Sequence, residues 1–182
     1  MRIIAGTLKG RRLAAPAWTG LRPTSDKLRE TVFNVIAPRI EGARFLDGYA
    51  GTGAVGLEAL SRGAAHVTFV ERDARACRLI AENAARCGLA DGYTIVRDRV
   101  APLGKRVSRA LGPFDIIFLD PPYADADDDV EAAVAAALAW LAPSGLLILE
   151  HAARDPVGEI DGARVTRDLR SGDSALAFIE RA

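Results

Sequence analysis

Two stretches of the sequence carry residue types that could act on a nucleotide-like ligand. One is Phe45 to Gly56, FLDGYAGTGAVG, in which Gly51, Gly53 and Gly56 are spaced as G-x-G-x-x-G. The other is Asp120-Pro121-Pro122-Tyr123, directly after the apolar run FDIIFL. Prolines have no N–H, so a Pro pair at a strand end stops the hydrogen-bond ladder and leaves carbonyls facing outward. A carboxylate, a bare carbonyl and an aromatic face would then converge. That set suits an exocyclic amino group of a nucleobase, whose lone pair is delocalised into the ring and weakly nucleophilic. Accepting its two N–H bonds at Asp120 and the Pro121 carbonyl would favour a pyramidal nitrogen and aim the lone pair. Tyr123 would stack on a base drawn out of its helix. In-line attack on a methyl group needs positioning more than acid–base power. Asp120, Pro121, Pro122 and Tyr123 are therefore the predicted catalytic group.

The glycine loop suits two ligands. Its spacing, with Glu71 at the separation of a ribose-binding acid, matches a dinucleotide fingerprint. Asp47, just ahead of the glycines, argues the other way. A carboxylate at that strand end repels pyrophosphate, whereas the ammonium and sulfonium of S-adenosylmethionine are cationic and would be attracted. The predicted cofactor-binding residues are Asp47, Gly48, Tyr49, Ala50, Gly51, Thr52 and Gly53 in the loop. Glu71 would take the ribose hydroxyls, Arg72 would lie along the adenine, and Asp98 would accept from its amino group. Each of these acids has a plainer alternative, as the N-cap of the helix that follows.

These motifs need a scaffold. Apolar runs at 43–47, 66–71, 93–97, 114–120 and 145–150 alternate with helix-period segments at 54–62, 73–86, 101–111 and 130–141. Strands apolar on both faces, each followed by a helix, read as a parallel sheet covered on both sides. Gly63 and Gly88 sit where helix C-caps belong, and the acids 127–129 where an N-cap belongs. The runs 164–169 and 175–180 flank Ser171-Gly172-Asp173 with no helix between, which predicts an antiparallel hairpin closing one sheet edge. The fold class is α/β, a Rossmann-like sheet of seven strands with that C-terminal hairpin. A chain of 182 residues, 49% hydrophobic, suits one domain with a full core. The longest apolar stretch, 130–142, carries Glu131 and is too short to span a bilayer, and the N-terminus lacks a signal core. A cytoplasmic protein is expected, with no membrane association.

The first 42 residues form an appendage to the core 43–182. Runs 2–5 and 11–14 read as short strands turning at Lys9-Gly10. A helix follows, capped by Thr24 or Ser25, with Leu28, Val32, Val35 and Ile36 on one face and an end near Pro38. The net charge of zero hides an asymmetry. Residues 1–44 carry nine Lys/Arg against three Asp/Glu, while 112–161 carry one Arg against eleven acids. The basic end could attract a polyanion, although a solvated basic face is the plainer reading. Cys77 and Cys87, ten apart on one predicted helix, lack metal-ligand or redox spacing, so no metal is expected. His66 opens a predicted strand and His151 lies just past the end of another, and both read as structural or solvated.

DPPY together with LDGYAGTGAVGLEALSRGA and FVERD resembles the class I S-adenosylmethionine-dependent amino-methyltransferases. RIIAGTLKGRRL and RPTSDKLRETVFNVI resemble the RsmD family specifically, and the likeness runs from Arg2 to the C-terminus. The resemblance implies methylation of a guanine N2 in 16S rRNA during small-subunit assembly, and a monomer is expected. It also implies RNA contacts from Arg2, Lys9, Arg11 and Arg12, with Arg22 and Thr24 of the RPT signature bordering the pocket. The family usually reads DLFAGSGALG where this chain has DGYAGTGAVG, which predicts altered packing at Gly48 and Tyr49. Three other classes remain. A DNA or RNA adenine-N6 or cytosine-N4 methyltransferase shares both motifs but usually adds a recognition domain. A nicotinamide oxidoreductase has no use for DPPY, and a non-catalytic RNA-binding assembly factor would use the basic end alone.

Overall fold

The computed structural model describes residues 1–19, 24–103, 111–122 and 127–182. In chain order the elements are α1 (Asp26–Ile40), β1 (Arg44–Gly48), α2 (Ala54–Ser61), β2 (His66–Glu71), α3 (Ala74–Arg86), β3 (Tyr93–Arg97) and α4 (Val100–Leu103). There follow β4 (Phe114–Leu119), α5 (Asp127–Trp140), β5 (Leu141–Ala152), β6 (Ala163–Ser171) and β7 (Ser174–Arg181).

The strands form one seven-stranded sheet in the order β3-β2-β1-β4-β5-β7-β6. β3, β2, β1, β4 and β5 are parallel, and β7 runs antiparallel between β5 and β6. The chain moves outward from β1 through β2 to β3, then returns to the other side of β1 as β4. The order therefore reverses between β1 and β4. Ligands of open α/β sheets bind at that crevice, beyond the carboxyl ends of the strands. The glycine loop leaves β1 and Asp120 leaves β4, so both motifs open into it.

Period-two alternation divides the core. Phe45, Phe69, Ile116, Phe118, Ile148 and Phe178 face α1, α2 and α3, whereas Leu46, Val70, Ile117, Leu119, Leu147 and Ile179 face α5. Such double coverage is why the central strands are apolar throughout. Gly56 is fixed by this packing: a Cβ there would lie 2.3 Å from Phe69 Cε1 and 2.7 Å from Val67 Cγ1. The third glycine of the fingerprint lets α2 approach the sheet.

Several expectations need correction. The segments 2–5 and 11–14 form a single bridge, Arg2 with Arg12, rather than two strands. The bonds Ile3 N to Arg11 O (3.0 Å) and Gly10 N to Ile3 O (2.9 Å) still close the turn. The amides of Ile4, Ala5 and Ala14 bond core side chains instead. α1 does not stop near Pro38 but runs through it to Ile40. Its cap is Ser25, whose Oγ accepts from Leu28 N at 3.2 Å, and burial of Ile40 holds the last turn. β5 extends well beyond 145–150 and includes His151, which is therefore within a strand rather than past it. The segment 101–111 is helical over Val100–Leu103, and residues 104–110 lie outside the described residues. Cys77 lies within α3, while Cys87 is its C-cap; neither forms a disulfide. No described helix is long and apolar enough to cross a membrane.

The appendage is held by polar groups buried on α1, α2 and α3. Glu58 accepts from Ile4 N at 2.7 Å and Ala5 N at 2.9 Å, and Arg62 Nε donates to it at 2.8 Å. Ser61 O accepts from Thr7 N at 2.7 Å and Ser61 Oγ from Leu8 N at 3.0 Å. A Cβ on Gly6, whose φ is +82°, would lie 1.8 Å from Ser61 O. Asn83 binds both backbone groups of Ala14 and donates to Thr52 O at 3.0 Å. Arg29, fully buried, donates to Arg2 O at 2.7 Å. The sequence signal for these latches is a polar residue on a helix face that is otherwise apolar, as at Glu58 within AVGLEALS.

Candidate active site

A cavity of about 550 Å³ lies over the crevice between β1 and β4, a volume typical of ligand clefts. Tyr49, Gly51, Glu71, Arg72 and Asp98 line one half; Asp120, Pro121, Pro122 and Glu150 line the other, with Ser171, Asp173 and Ser174 at the β6–β7 turn. Trp18, Thr19, Thr24, Ser25 and Leu28 of the appendage supply a wall. The structure thus brings together Tyr49, Gly51, Glu71, Arg72, Asp98, Thr24 and Asp120 to Pro122. Arg22 and Tyr123 lie outside the described residues.

The three glycine amides of the loop are already bonded within the protein. Gly51 N donates to Glu71 Oε2 at 2.9 Å, Gly53 N to Ala50 O at 2.7 Å, and Gly56 N to Asp47 Oδ2 at 2.8 Å. Glu71 Oε1 also accepts from Asp73 N at 2.8 Å. A pyrophosphate cradle needs those amides turned toward the ligand. Here two of the three bond carboxylates, and the cavity floor is acidic rather than donor-rich. Gly51 and Gly53 adopt φ values of +55° and +75°, so the turn itself requires glycine. Tyr49 holds φ at +60° without being glycine, a costly conformation for a bulky side chain that concentrates at ligand sites.

Not every predicted cofactor residue faces the large cavity. Asp47, Ala50 and Thr52 line a recess of about 20 Å³ beneath it, which shares Thr24, Tyr49, Gly51 and Asp120 with the cavity above. Asp47 is 2% exposed and accepts from Gly56 N, so it anchors α2 from within this recess. Gly48 and Gly53 line neither space. Gly48 is set by the sheet, because a Cβ would lie 2.4 Å from Leu119 Cδ2 and 3.3 Å from Val100 Cγ2.

Burial pushes the Asp47 carboxyl well above the ordinary aspartate value of 3.8; its bond from Gly56 N opposes this, while the charges of Asp120 and Glu71 add to it. A carboxyl raised in this way supports the fold fully below the unfolded value and loses that contribution as pH climbs through the folded one. Asp47→Asn keeps an oxygen for Gly56 N and removes the titration. The melting temperature of the variant should gain on that of the native chain as pH rises above the ordinary aspartate range. A constant difference across pH would contradict this assignment.

Thr24 Oγ1 donates to Asp120 Oδ2 at 3.0 Å across 96 residues of sequence, and Asp120 N lies 3.4 Å from Gly48 O. The appendage and β1 together therefore fix Asp120. Thr24 appears at the carboxylate rather than as the cap of α1. Asp98 Oδ1 accepts from Arg99 N at 2.8 Å, and Asp98 N donates to Glu71 O at 3.1 Å. Trp18 and Arg75 escaped sequence reading. The Arg75 guanidinium lies 5.0 Å from the Trp18 ring centroid and pairs with Asp73 at 2.7 Å. An isolated Trp among turn-forming residues carries no periodic signal. Arg2, Lys9, Arg11 and Arg12 are exposed, outside the cavity lining.

The model of the family described as conserved hypothetical protein 95 matches residues 1–180. The chain belongs to this family. It is the RsmD family that the motifs resemble. The Bacillus subtilis (strain 168) protein named "Putative rRNA methyltransferase YlbH" is 40% identical over 183 residues, covering 100% of this chain and 99% of that one. Ribosomal RNA small subunit methyltransferase D of Escherichia coli (strain K12) is 37% identical over 150 residues, covering 82% of this chain and 74% of that one. Among solved structures, a hypothetical protein of Thermus thermophilus matches with a TM-score of 0.83 and 32% identity, over 99% of each chain. The RsmD-family chain thus has the Rossmann-like class I methyltransferase fold, a mostly parallel seven-stranded sheet with an antiparallel C-terminal hairpin.

Proposed function

We propose that the protein transfers a methyl group from S-adenosylmethionine to the exocyclic N2 of a guanine in 16S rRNA, as a cytoplasmic monomer acting on the small subunit or its assembly intermediate. The observation that carries this reading is the occupation of the glycine-loop amides by Glu71 and Asp47. Those bonds leave a cavity floor suited to a cationic ligand and ill suited to a pyrophosphate. The names of the relatives support rRNA as the acceptor.

S-adenosylmethionine supplies an electrophilic methyl group on a positively charged sulfur. Glu71, already fixed by two amides, offers its oxygens to ribose hydroxyls, and Asp98 stands beside the adenine with Arg72. Gly51 allows close approach, and Tyr49 walls the methionine end. A cation near the recess also favours ionisation of Asp47, opposing the effect of burial. At the acceptor half, Asp120 and the Pro121 carbonyl accept hydrogen bonds from the two amino N–H groups, and Thr24 holds Asp120 in register. Tyr123 stacks on the base. The reaction then depends on alignment of nitrogen, methyl and sulfur. Arg2, Lys9, Arg11 and Arg12 hold more distant RNA phosphates, and such contacts make binding salt-dependent.

The test is methyl transfer from labelled S-adenosylmethionine to undermethylated small subunits, naked 16S rRNA and DNA, with the product nucleoside identified. N2-methylguanosine from the ribosomal substrate is expected. Methylated adenine or cytosine, or transfer to DNA alone, would overturn the reading.

A further inference from the structure

The basic part of the appendage, Lys9 to Arg12, does not line the cavity that Trp18 and Thr24 wall further along the chain. Its turn rests on Ser61 at the C-terminal end of α2, and the glycine loop lies at the other end. Eight residues of helix separate the two, about 12 Å. Lys9 and Arg11 therefore reach RNA remote from the reacting base. Phosphates next to that base must meet residues on the catalytic edge of the sheet.

On the acceptor side of that edge a second groove, of about 490 Å³, continues from the cavity. Ala152, Ala153, Arg154, Arg170, Gly172 and Asp173 line it, and Asp173 is common to both. β5 ends there at Ala152, and β7, running the opposite way, begins there at Ser174. Arg154 is the sole lysine or arginine in the strongly acidic stretch 112–161. Its guanidinium is 86% exposed and its partner Asp155 is 70% exposed, at 3.3 Å. An exposed pair of this kind is worth little and exchanges readily for a phosphate. Arg170 is exposed near the end of β6, and no ion pair to it is found among the described residues. Two guanidiniums thus flank the groove against the single carboxylate of Asp173.

We infer that Arg154 and Arg170 form a phosphate clamp for the RNA backbone beside the target nucleotide. The inference rests on the proposed rRNA methyl transfer, which places the acceptor base over Asp120. It assigns the C-terminal hairpin to substrate holding and divides the RNA contacts between two ends of the molecule. The adjacent clamp sets register at the reacting base, while the appendage adds affinity from a distance.

Arg154→Gln/Arg170→Gln tests this against the full native chain, using a 16S rRNA transcript in filter binding across a KCl series. Affinity near physiological salt should fall by about tenfold, and the slope of log affinity against log salt should flatten by about 1.5 to 2, the share of two phosphate contacts. KM for RNA should rise while kcat at saturating RNA is kept. Arg154→Lys/Arg170→Lys should recover most of the affinity. S-adenosylhomocysteine binding by calorimetry and the melting temperature should match the native chain. An unchanged RNA affinity and salt slope would overturn the clamp, and so would a loss accompanied by weakened S-adenosylhomocysteine binding or a lowered melting temperature. Failure of the native chain to bind S-adenosylhomocysteine or to methylate RNA would instead overturn the proposed function.

Discussion

Replacement of Asp120 by Ala is expected to lower turnover by at least about 10²–10³-fold, the scale seen when one preorganised polar group at a reacting centre is removed. The change alters the acceptor half of the cavity but leaves the glycine loop in place, since Glu71 and Asp47 hold the loop independently. Calorimetric affinity for S-adenosylmethionine should therefore remain within about twofold, and the deficit should appear in kcat. The bond from Thr24 gives a graded companion. Thr24→Val removes a donor 3.0 Å from Asp120 Oδ2 while keeping the side-chain shape. It should reduce kcat by less than Asp120→Ala, because the carboxylate remains but loses its register. Single-turnover methyl transfer on small subunits measures both. Unchanged turnover in Asp120→Ala would remove the residue from the mechanism.

Glu58→Ala is expected to cost about 3–5 kcal/mol of folding stability, the usual penalty for removing one partner of a buried charge pair. Arg29 is fully buried, and burial pulls its basicity down while Asp26 and Glu58 push it back up. Its Nε lies 4.0 Å from Glu58 Oε2. Without that carboxylate, Arg29 keeps only Asp26 and the Arg2 carbonyl, and the amides of Ile4 and Ala5 lose their acceptors. Urea denaturation should show a lower midpoint at an unchanged slope. Glu58→Gln, with one oxygen retained, should fall between the two. A loss below about 1 kcal/mol would mean that the appendage contributes nothing to global stability.

Most of the scaffold was legible because each element signals itself locally. Apolar runs on both faces announced the parallel strands, and Gly63 and Gly88 marked helix ends with φ values of +101° and +78°. Pairing order carries no such signal. Nothing local to 174–181 says that β7 inserts between β5 and β6, since either strand of a hairpin can meet the sheet. Pro38 misled for a related reason: proline weakens a helix interior, yet packing of Ile36 and Ile40 against the core outweighs it in the last turn.

The site was legible in its residue types and less so in their duties. Glu71, Asp98 and Asp120 surround one cavity, as their positions at the carboxyl ends of β2, β3 and β4 implied. Asp47 reads as a ligand contact because it precedes the glycines, and its bond from Gly56 N is a second duty that this reading leaves out. Period-two reasoning applied to Phe45 and Leu46, both buried on opposite faces, would have shown that an inward acid here must bond the adjoining helix. Glu58, Arg29 and Asn83 signal themselves only as polar residues on apolar helix faces, and their partners carry no local signal because they are backbone groups 27 to 69 residues away.

Those separations have a consequence for the order in which the protein is completed. A nascent chain emerges N-terminus first, yet the first fourteen residues find their acceptors only after Glu58, Ser61 and Asn83 have been made. Thr24 waits longer still, for Asp120. During synthesis Ile3 and Leu13 have no core to enter, and the cavity has no wall over Glu71. These N-terminal residues thus settle only after the segments that hold them have been made, and the catalytic pocket acquires its final shape once β4 and the β6–β7 turn are in place.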